Sequence, residues 1–287
     1  MSTRLPAGEN TYIFDVESAA EMARLIDQDR IVTKGMGGLL AEQGSPEQFH
    51  TILDLASGPG SWALDLAFQY PGIEISGIDI SKTVVDYANA RARTQGLNNV
   101  SFGVMDVRKP LDFADQSFDL VNARFLLGVL YREDWLSLLT ECRRILRSGG
   151  ILRLTEADVI SLTTSPAFEQ ISELAALALH RAGYGFSPDG GTFGMTPALA
   201  RLLREAGFIK IESKAHAIRF SPYDEETYAD MCANIRVSAQ QGRSLLNKMG
   251  LITEEAFDKL YQQMQIEMLS DEFSGVWPYM TVWGTKP

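Results

Sequence analysis

The sequence predicts an α/β fold, a mostly parallel sheet with helices on both faces, from three observations. Across residues 48–160, short apolar runs alternate with segments of helical periodicity, the pattern of successive strand–helix units. A loop of small residues, Ser57-Gly-Pro-Gly60, joins the first run to the first such segment. Strand, glycine turn and helix in that order leave backbone N–H groups facing an open crevice suited to a nucleotide-like ligand. Single acids, Asp79 and Asp106, close the second and third runs on what would be the carboxyl edge of the sheet.

At 287 residues the chain can bury a substantial core, and 45% hydrophobic with 22% charged residues is ordinary for a globular protein. A net charge of −11 argues against a nucleic-acid partner and against adsorption to anionic membranes. The two cysteines, Cys142 and Cys232, lie far apart without metal-ligand neighbours, which predicts reduced thiols, no metal site and a cytoplasmic protein. Met1–Asn10 lacks the apolar run of a signal peptide, and no stretch reaches ~18 apolar residues.

Residues 1–10 read as a loose arm. Ser18-Ala-Ala-Glu21 has the form of a capping box. Met22, Leu25 and Ile26 then make the apolar stripe of a helix of roughly three turns. Thr33–Gly38 is expected to interrupt it, with a second short helix leading to Pro46. Residues 1–47 hold too few apolar positions to fold alone and are expected to form a helical lid.

The core follows. Strand one is Thr51–Ala56, with a helix from Ser61 to Tyr70. Strand two is Ile73–Asp79, after which Ser81 caps a helix ending at Gly96. Strand three is Val100–Met105 and strand four Ser117–Asn122. Trp135, Leu138, Leu139, Cys142, Ile145 and Leu146 keep a 3.6-residue period to the stop at Gly149-Gly150, and strand five is Ile151–Glu156. Thr196-Pro197 starts a helix that ends at Gly207. Phe208–Ile218 is strand six and Tyr279–Thr285 the last strand, with Pro278 confined to its beginning because proline donates no ladder bond. Residues 165–195 and 221–275 stand outside the alternation as helical insertions, one helix in the first and two in the second. Both follow sheet strands and can roof the crevice, while 196–220 and 276–287 complete the sheet of a single domain.

The spacing Gly58-x-Gly60-x-x-Ala63 also fits a dinucleotide fingerprint, so the loop alone admits two cofactors. Asp79, nineteen residues after Gly60, can accept from both ribose hydroxyls of an adenosine, as NAD and S-adenosylmethionine equally require. Its structural alternative is to cap the following helix. Asp106 favours the second cofactor: it can accept from the adenine amine, a role a nicotinamide dinucleotide does not generally need. Acids at three strand ends suit a sulfonium and an ammonium, and would repel a pyrophosphate.

Ile52-Leu-Asp-Leu-Ala-Ser-Gly-Pro-Gly60, Gly77-Ile-Asp-Ile-Ser81, Phe102-Gly-Val-Met-Asp106, Ser117-Phe-Asp-Leu-Val-Asn122 and Arg144-Ile-Leu-Arg-Ser-Gly-Gly150, in this order, resemble the class I S-adenosylmethionine-dependent methyltransferases. The resemblance covers residues 48–160 closely and 196–220 more loosely, and Tyr279–Pro287 looks like that family's antiparallel seventh strand. Ala56 departs from the pattern, standing where a glycine is usual. The resemblance implies a Rossmann-like seven-stranded sheet with an antiparallel last strand, a helical lid and insertions. It also implies S-adenosylmethionine as cofactor. Backbone around Ala56, Ser57 and Gly58, with Gly60 closing the turn, would line its methionine part. Asp79 would hold the ribose, Ile80 would pack on adenine, and Asp106 with Val107 would read the adenine edge. Asn122 would contact the methionine end by its backbone, Asp54 would fix the loop amides, and Tyr12 could close over the cofactor.

Methyl transfer is an in-line displacement, so the protein must align the acceptor and exclude water. A general base matters where the acceptor loses a proton, and the candidates are Glu156 and Asp158 after strand five, with His180 and His216 behind them. No base is assigned from sequence. Tyr184, Phe186, Phe193, Met195 and the methionine-rich helix near residue 264 predict an apolar pocket and a small, largely apolar acceptor. Two rivals stand beside this: an NAD(P)-dependent oxidoreductase, and a non-methylating or cyclase-like protein that keeps the cofactor site. Monomer and homodimer are equally compatible with the sequence.

Overall fold

Eight strands make one sheet in the computed structural model, which describes residues 12–287; the arm expected over residues 1–10 lies outside the described residues. They are β1 (Thr51–Leu55), β2 (Glu74–Asp79), β3 (Val100–Val104), β4 (Phe118–Arg124), β5 (Leu146–Ala157), β6 (Leu162–Thr163), β7 (Ile209–Phe220) and β8 (Gly275–Thr285). Their order is β3-β2-β1-β4-β5-β8, with β7 on the far edge of β8 and the two-residue β6 continuing the edge that β5 occupies. The first five strands run parallel, and β8 lies antiparallel between β5 and β7. The expected seven-stranded sheet is therefore present, and β6 is an addition too short to leave a sequence signal. The chain winds outward from β1 to β3 and then returns to β4 on the other side of β1. That reversal opens a crevice at the carboxyl ends of β1 and β4.

Helices α2 (Ser61–Gln69) and α3 (Lys82–Thr94) cover one face, packing Trp62, Leu66, Val85 and Ala88 against Ile52, Ile75 and Leu120. Helices α4 (Trp135–Ile145) and α6 (Thr196–Glu205) cover the other, where Trp135, Leu139, Leu199 and Leu203 meet Leu53, Val121 and Leu152. Each fully buried Leu or Ile contributes about 1.5–3 kcal/mol, which is why these alternating runs hold their register. A third cluster joins α1 (Ala19–Met36), α5 (Pro166–Ala182), α7 (Glu225–Lys248) and α8 (Glu254–Glu267) to Phe220, Trp277 and Tyr279.

Four local expectations are corrected. Helix α1 does not break at Thr33 but continues to Met36, and no second helix precedes the short 3-10 turn Pro46–Gln48. Gly35 is retained inside α1 because the helix lies close to β7 and β8; a Cβ there would sit 2.6 Å from Ile218. The capping box forms only half-way: Ser18 Oγ accepts from Glu21 N, while the Glu21 carboxylate is taken by Arg24 and Tyr12. Gly149-Gly150 do not end α4; they lie within β5, where its register against β4 shifts between Phe118 and Leu120. Pro278 lies inside β8 rather than at its start. It falls between the last β5 partner, Tyr279, and the first β6 partner, Val276, where neither strand pairs with it.

Candidate active site

The loop after β1 turns through Ala56, Gly58 and Gly60, all in the left-handed region at φ 48°, 53° and 78°. Gly60 has a second reason to lack a side chain, since a Cβ would lie 2.6 Å from the Phe102 ring. Asp79 holds the loop from the next strand. Its Oδ2 accepts from Gly58 N and its Oδ1 from Ser81 N, both at 3.0 Å. Burial raises the Asp79 carboxyl above its ordinary range, against the pull of the Ser81, Gly58 and Ile80 amides. Arg91 fastens the outer side of the loop through Pro59 O and Ser61 Oγ.

A cleft crosses the carboxyl ends of β3, β2, β1 and β4 in that order. Met105, Asp106 and Val107 line it beyond β3, and Asp79 with Ile80 beyond β2. Asp54 and Ala56–Pro59 line it at β1, and Arg124 with Phe125 at β4. Tyr12, Val16, Leu25, Gln28 and Asp29 close it from the front section. At the β4 end Asp29 ion-pairs with Arg124, which also lies 5.8 Å over the Trp62 ring. Two buried oxygens in this wall, Asp29 Oδ2 and Ser57 Oγ, have no hydrogen-bond partner among the described residues. Burial pushes the Asp54 carboxyl up to about 7, with Arg124 and the Asn122 amide opposing. Asp106 behaves oppositely: burial works to raise it, but hydrogen bonds from Arg108 hold its carboxyl below the usual range.

A second cavity adjoins the cleft through the shared residues Tyr12, Gln28 and Phe125. Its walls are largely apolar, including Ile160, Ile171, Leu179, Phe193, Leu245 and Trp277. Glu156, the penultimate residue of β5, is set into that wall. Phe125 separates the two spaces in a left-handed conformation (φ 57°), fixed by its N–H donating to Thr155 O.

Of the positions expected to hold a cofactor, Ala56, Ser57, Gly58, Asp79, Ile80, Asp106, Val107 and Tyr12 line the cleft. Gly60 and Asn122 do not. Gly60 packs on Phe102, and Asn122 is fully buried behind the wall, donating to Asp54 Oδ1 at 2.7 Å and accepting from Arg153. Among the candidate bases, Glu156 alone lines either space. Asp158 accepts from Thr196 N and Oγ1 at the start of α6, and His216 stacks on Tyr279 at 5.1 Å. His180 lies 3.4 Å from Arg132 at the end of α5. The expected aromatic and methionine lining is corrected too. Phe193 reaches the cavity, whereas Tyr184 and Met195 are buried in the main core and Met264 and Met268 pack in the third cluster. Much of the cavity wall comes from α7 instead.

Asp29, Arg124 and Phe125 were not anticipated. A signal for Asp29 exists, an acid four residues after Leu25 on the apolar stripe of α1. Arg124 is the base that ends the apolar run of β4, two residues beyond Asn122 on the same side of the strand.

Residues 52–150 match the family model described as "Methyltransferase domain". Methyltransferase pytC of Aspergillus terreus is 25% identical over 244 residues, covering 82% of this chain and 71% of its own length. The ubiquinone/menaquinone biosynthesis C-methyltransferase UbiE of Desulfotalea psychrophila is 31% identical over 191 residues, covering 61% of this chain and 72% of its own length. The chain belongs to the class I S-adenosylmethionine-dependent methyltransferases. This methyltransferase also shares its fold with Haemonchus contortus phosphoethanolamine N-methyltransferase 2, solved in complex with S-adenosyl-L-methionine. The TM-score is 0.58 at 20% identity, over 99% of this chain and 61% of that one. The cleft of the methyltransferase fits its cofactor on its own chemistry. Apolar Ile80, Met105 and Val107 flank an acid with hydrogen-bonding capacity to spare, and unpartnered Asp29 Oδ2 beside Arg124 complements an amino-acid zwitterion.

Proposed function

We propose that the methyltransferase transfers a methyl group to a small, largely apolar acceptor bound in the second cavity, by in-line displacement across the boundary at Tyr12, Gln28 and Phe125. The observation that carries this reading is that a polar cleft and an apolar cavity adjoin there. When bound, S-adenosylmethionine supplies a methyl carbon already activated by its sulfonium. In this reading Asp79 holds the ribose hydroxyls, Ile80, Met105 and Val107 enclose the adenine, and Asp106 accepts from its amine while paired with Arg108. Amides of Ala56–Gly58, with Asp54, Asp29 and Arg124, hold the methionine end, and the Arg153–Asn122–Asp54 chain keeps that end in place from behind.

Residues 12–47, with α5 and α7, act as the cap that excludes water, so that orientation contributes up to ~7–11 kcal/mol to the rate. Arg30 to Asp230 at 2.8 Å and Lys34 to Glu226 at 3.1 Å join α1 to α7 on the surface and are consistent with that role. The whole chain acts as one domain on a small-molecule acceptor, in the cytoplasm and without nucleic acid. No helix among the described residues is long and apolar enough to cross a membrane, and none of their His, Cys, Asp and Glu clusters could hold a metal ion. A quinone-pathway relative supports an apolar ring as acceptor. The test is production of S-adenosylhomocysteine and a methylated product, followed by mass spectrometry across a panel of apolar phenols, amines and carboxylic acids. Cofactor binding without product from any of them would refute the reading.

A further inference from the structure

Glu156 is 2% exposed, yet its side chain is only half engaged. Its Oε1 accepts from Leu126 N at 2.6 Å, while its Oε2 has no hydrogen-bond partner among the described residues. Such a group is costly to bury and is held against the tendency to find a partner. The bond to Leu126 ties this carboxyl to the residue that follows Phe125, and Phe125 lines both cleft and cavity. The rest of the neighbouring wall offers hydrocarbon from Ile160, Ile171, Leu179 and Phe193.

Other charged or titratable groups facing the cavity are engaged elsewhere. Arg24 pairs with Glu21 at 2.6 Å, and Tyr12 donates to Glu21 at 2.7 Å. Asp158, two residues on, adds like charge but is bonded to Thr196. Glu156 is thus the one cavity-lining carboxyl among the described residues.

We propose that Glu156 takes the proton of the methyl acceptor, and that the acceptor is an apolar molecule carrying a weakly acidic aromatic O–H, a phenol or hydroquinone. The inference rests on the reading of the second cavity as the acceptor site. In the step, Oε2 of ionised Glu156 removes the hydroxyl proton as the oxygen lone pair forms a bond to the methyl carbon. The C–S bond breaks, its electron pair returns to sulfur, and the thioether departs neutral. The products are an aryl methyl ether and protonated Glu156, which passes its proton to solvent on release. Burial pushes the Glu156 carboxyl up to about 8, with the Leu126 and Leu127 amides opposing. That brings it closer to a phenol than an exposed carboxylate would be, as efficient proton transfer requires.

The experiment uses the full chain with 2-naphthol as probe and 2-methoxynaphthalene as the ether that has no proton to give. With S-adenosylhomocysteine bound, calorimetry should show the wild type preferring 2-naphthol by about tenfold, the preference growing as pH rises from about 7 to about 8.5. With S-adenosylmethionine, Glu156→Gln, which keeps an oxygen for Leu126 N, should lower kcat for 2-naphthol about 100-fold. Cofactor Kd should stay unchanged, and the rise of rate through pH of about 8 should disappear. A Glu156→Gln rate within about threefold of wild type, with the same pH profile, would overturn the proposal. So would equal binding of the two naphthalenes at both pH values, an arm that needs only wild-type protein. Methylation of amines or carboxylates alone would refute the phenol and leave the methyltransferase reading standing; no product with any acceptor would defeat both.

Discussion

Replacing Asp79 by Asn separates cofactor recognition from loop support. Each carboxylate oxygen accepts one backbone N–H, from Gly58 and from Ser81, at 3.0 Å, and can take a second bond from a ribose hydroxyl. Asparagine keeps one acceptor oxygen but must turn its NH2 toward one of the two amides and toward one hydroxyl. A hydrogen bond to a charged group is worth about 1.5–3 kcal/mol, so losing one and weakening the other costs roughly 3 kcal/mol in binding, or about 150-fold in Kd. The effect on the free protein is smaller, because the lost amide bond is offset by relief of a buried charge that desolvation already disfavours. We expect apo stability to change by less than about 1.5 kcal/mol. Titration calorimetry with S-adenosylhomocysteine, beside urea unfolding of the apo protein, reads both quantities. A Kd within about threefold of wild type together with a large loss of stability would show that Asp79 only props the loop, and the ribose assignment would fall.

Three further outcomes follow from the structure. Ala56→Gly should raise stability by about 0.5–1 kcal/mol in urea unfolding, because the left-handed penalty exceeds the added chain entropy; an unchanged or lower midpoint would contradict the strain argument. Glu42→Ala leaves Arg153 fully buried without its carboxylate and should cost about 3–5 kcal/mol, whereas Glu42→Leu with Arg153→Met should restore most of it; thermal melts compare the two. Stability should also fall as pH rises from about 4 to about 8. Folded Glu156 and Asp54 keep protons up to about 8 and about 7, which the unfolded chain releases near 4. Glu156→Gln should flatten that slope in a series of melts, and a wild-type Tm that climbs across the window would reverse the sign.

The lining of the cleft at β1 to β3 was legible because its determinants are local. A β-strand, the Ser57–Gly60 turn and acids at strand ends recur at short range, so Asp79 and Asp106 could be placed on one edge before any strand was paired. The β4 wall of the cleft was less legible. Arg124 and Asp29 are 95 residues apart and become partners only when α1 crosses the end of β4. Asn122 carried the same ambiguity: a polar residue at a strand end can face the crevice or the layer beneath, and the buried Arg153 drew it to the layer beneath.

By itself the sequence determined the alternating α/β core, the glycine turn, the capped helices and the acids at strand ends that line the cleft, since each follows from patterns spanning no more than a few dozen residues. Tertiary structure decided which of several acids became the buried, half-satisfied carboxyl. Asp158 found Thr196, while one Glu156 oxygen found the Leu126 amide and its side chain met an apolar wall assembled from α5, α7 and β8. The physical reason is desolvation. Whether a carboxylate is a surface charge, a helix cap or a proton acceptor depends on what distant segments remove from around it, and no local spacing encodes that.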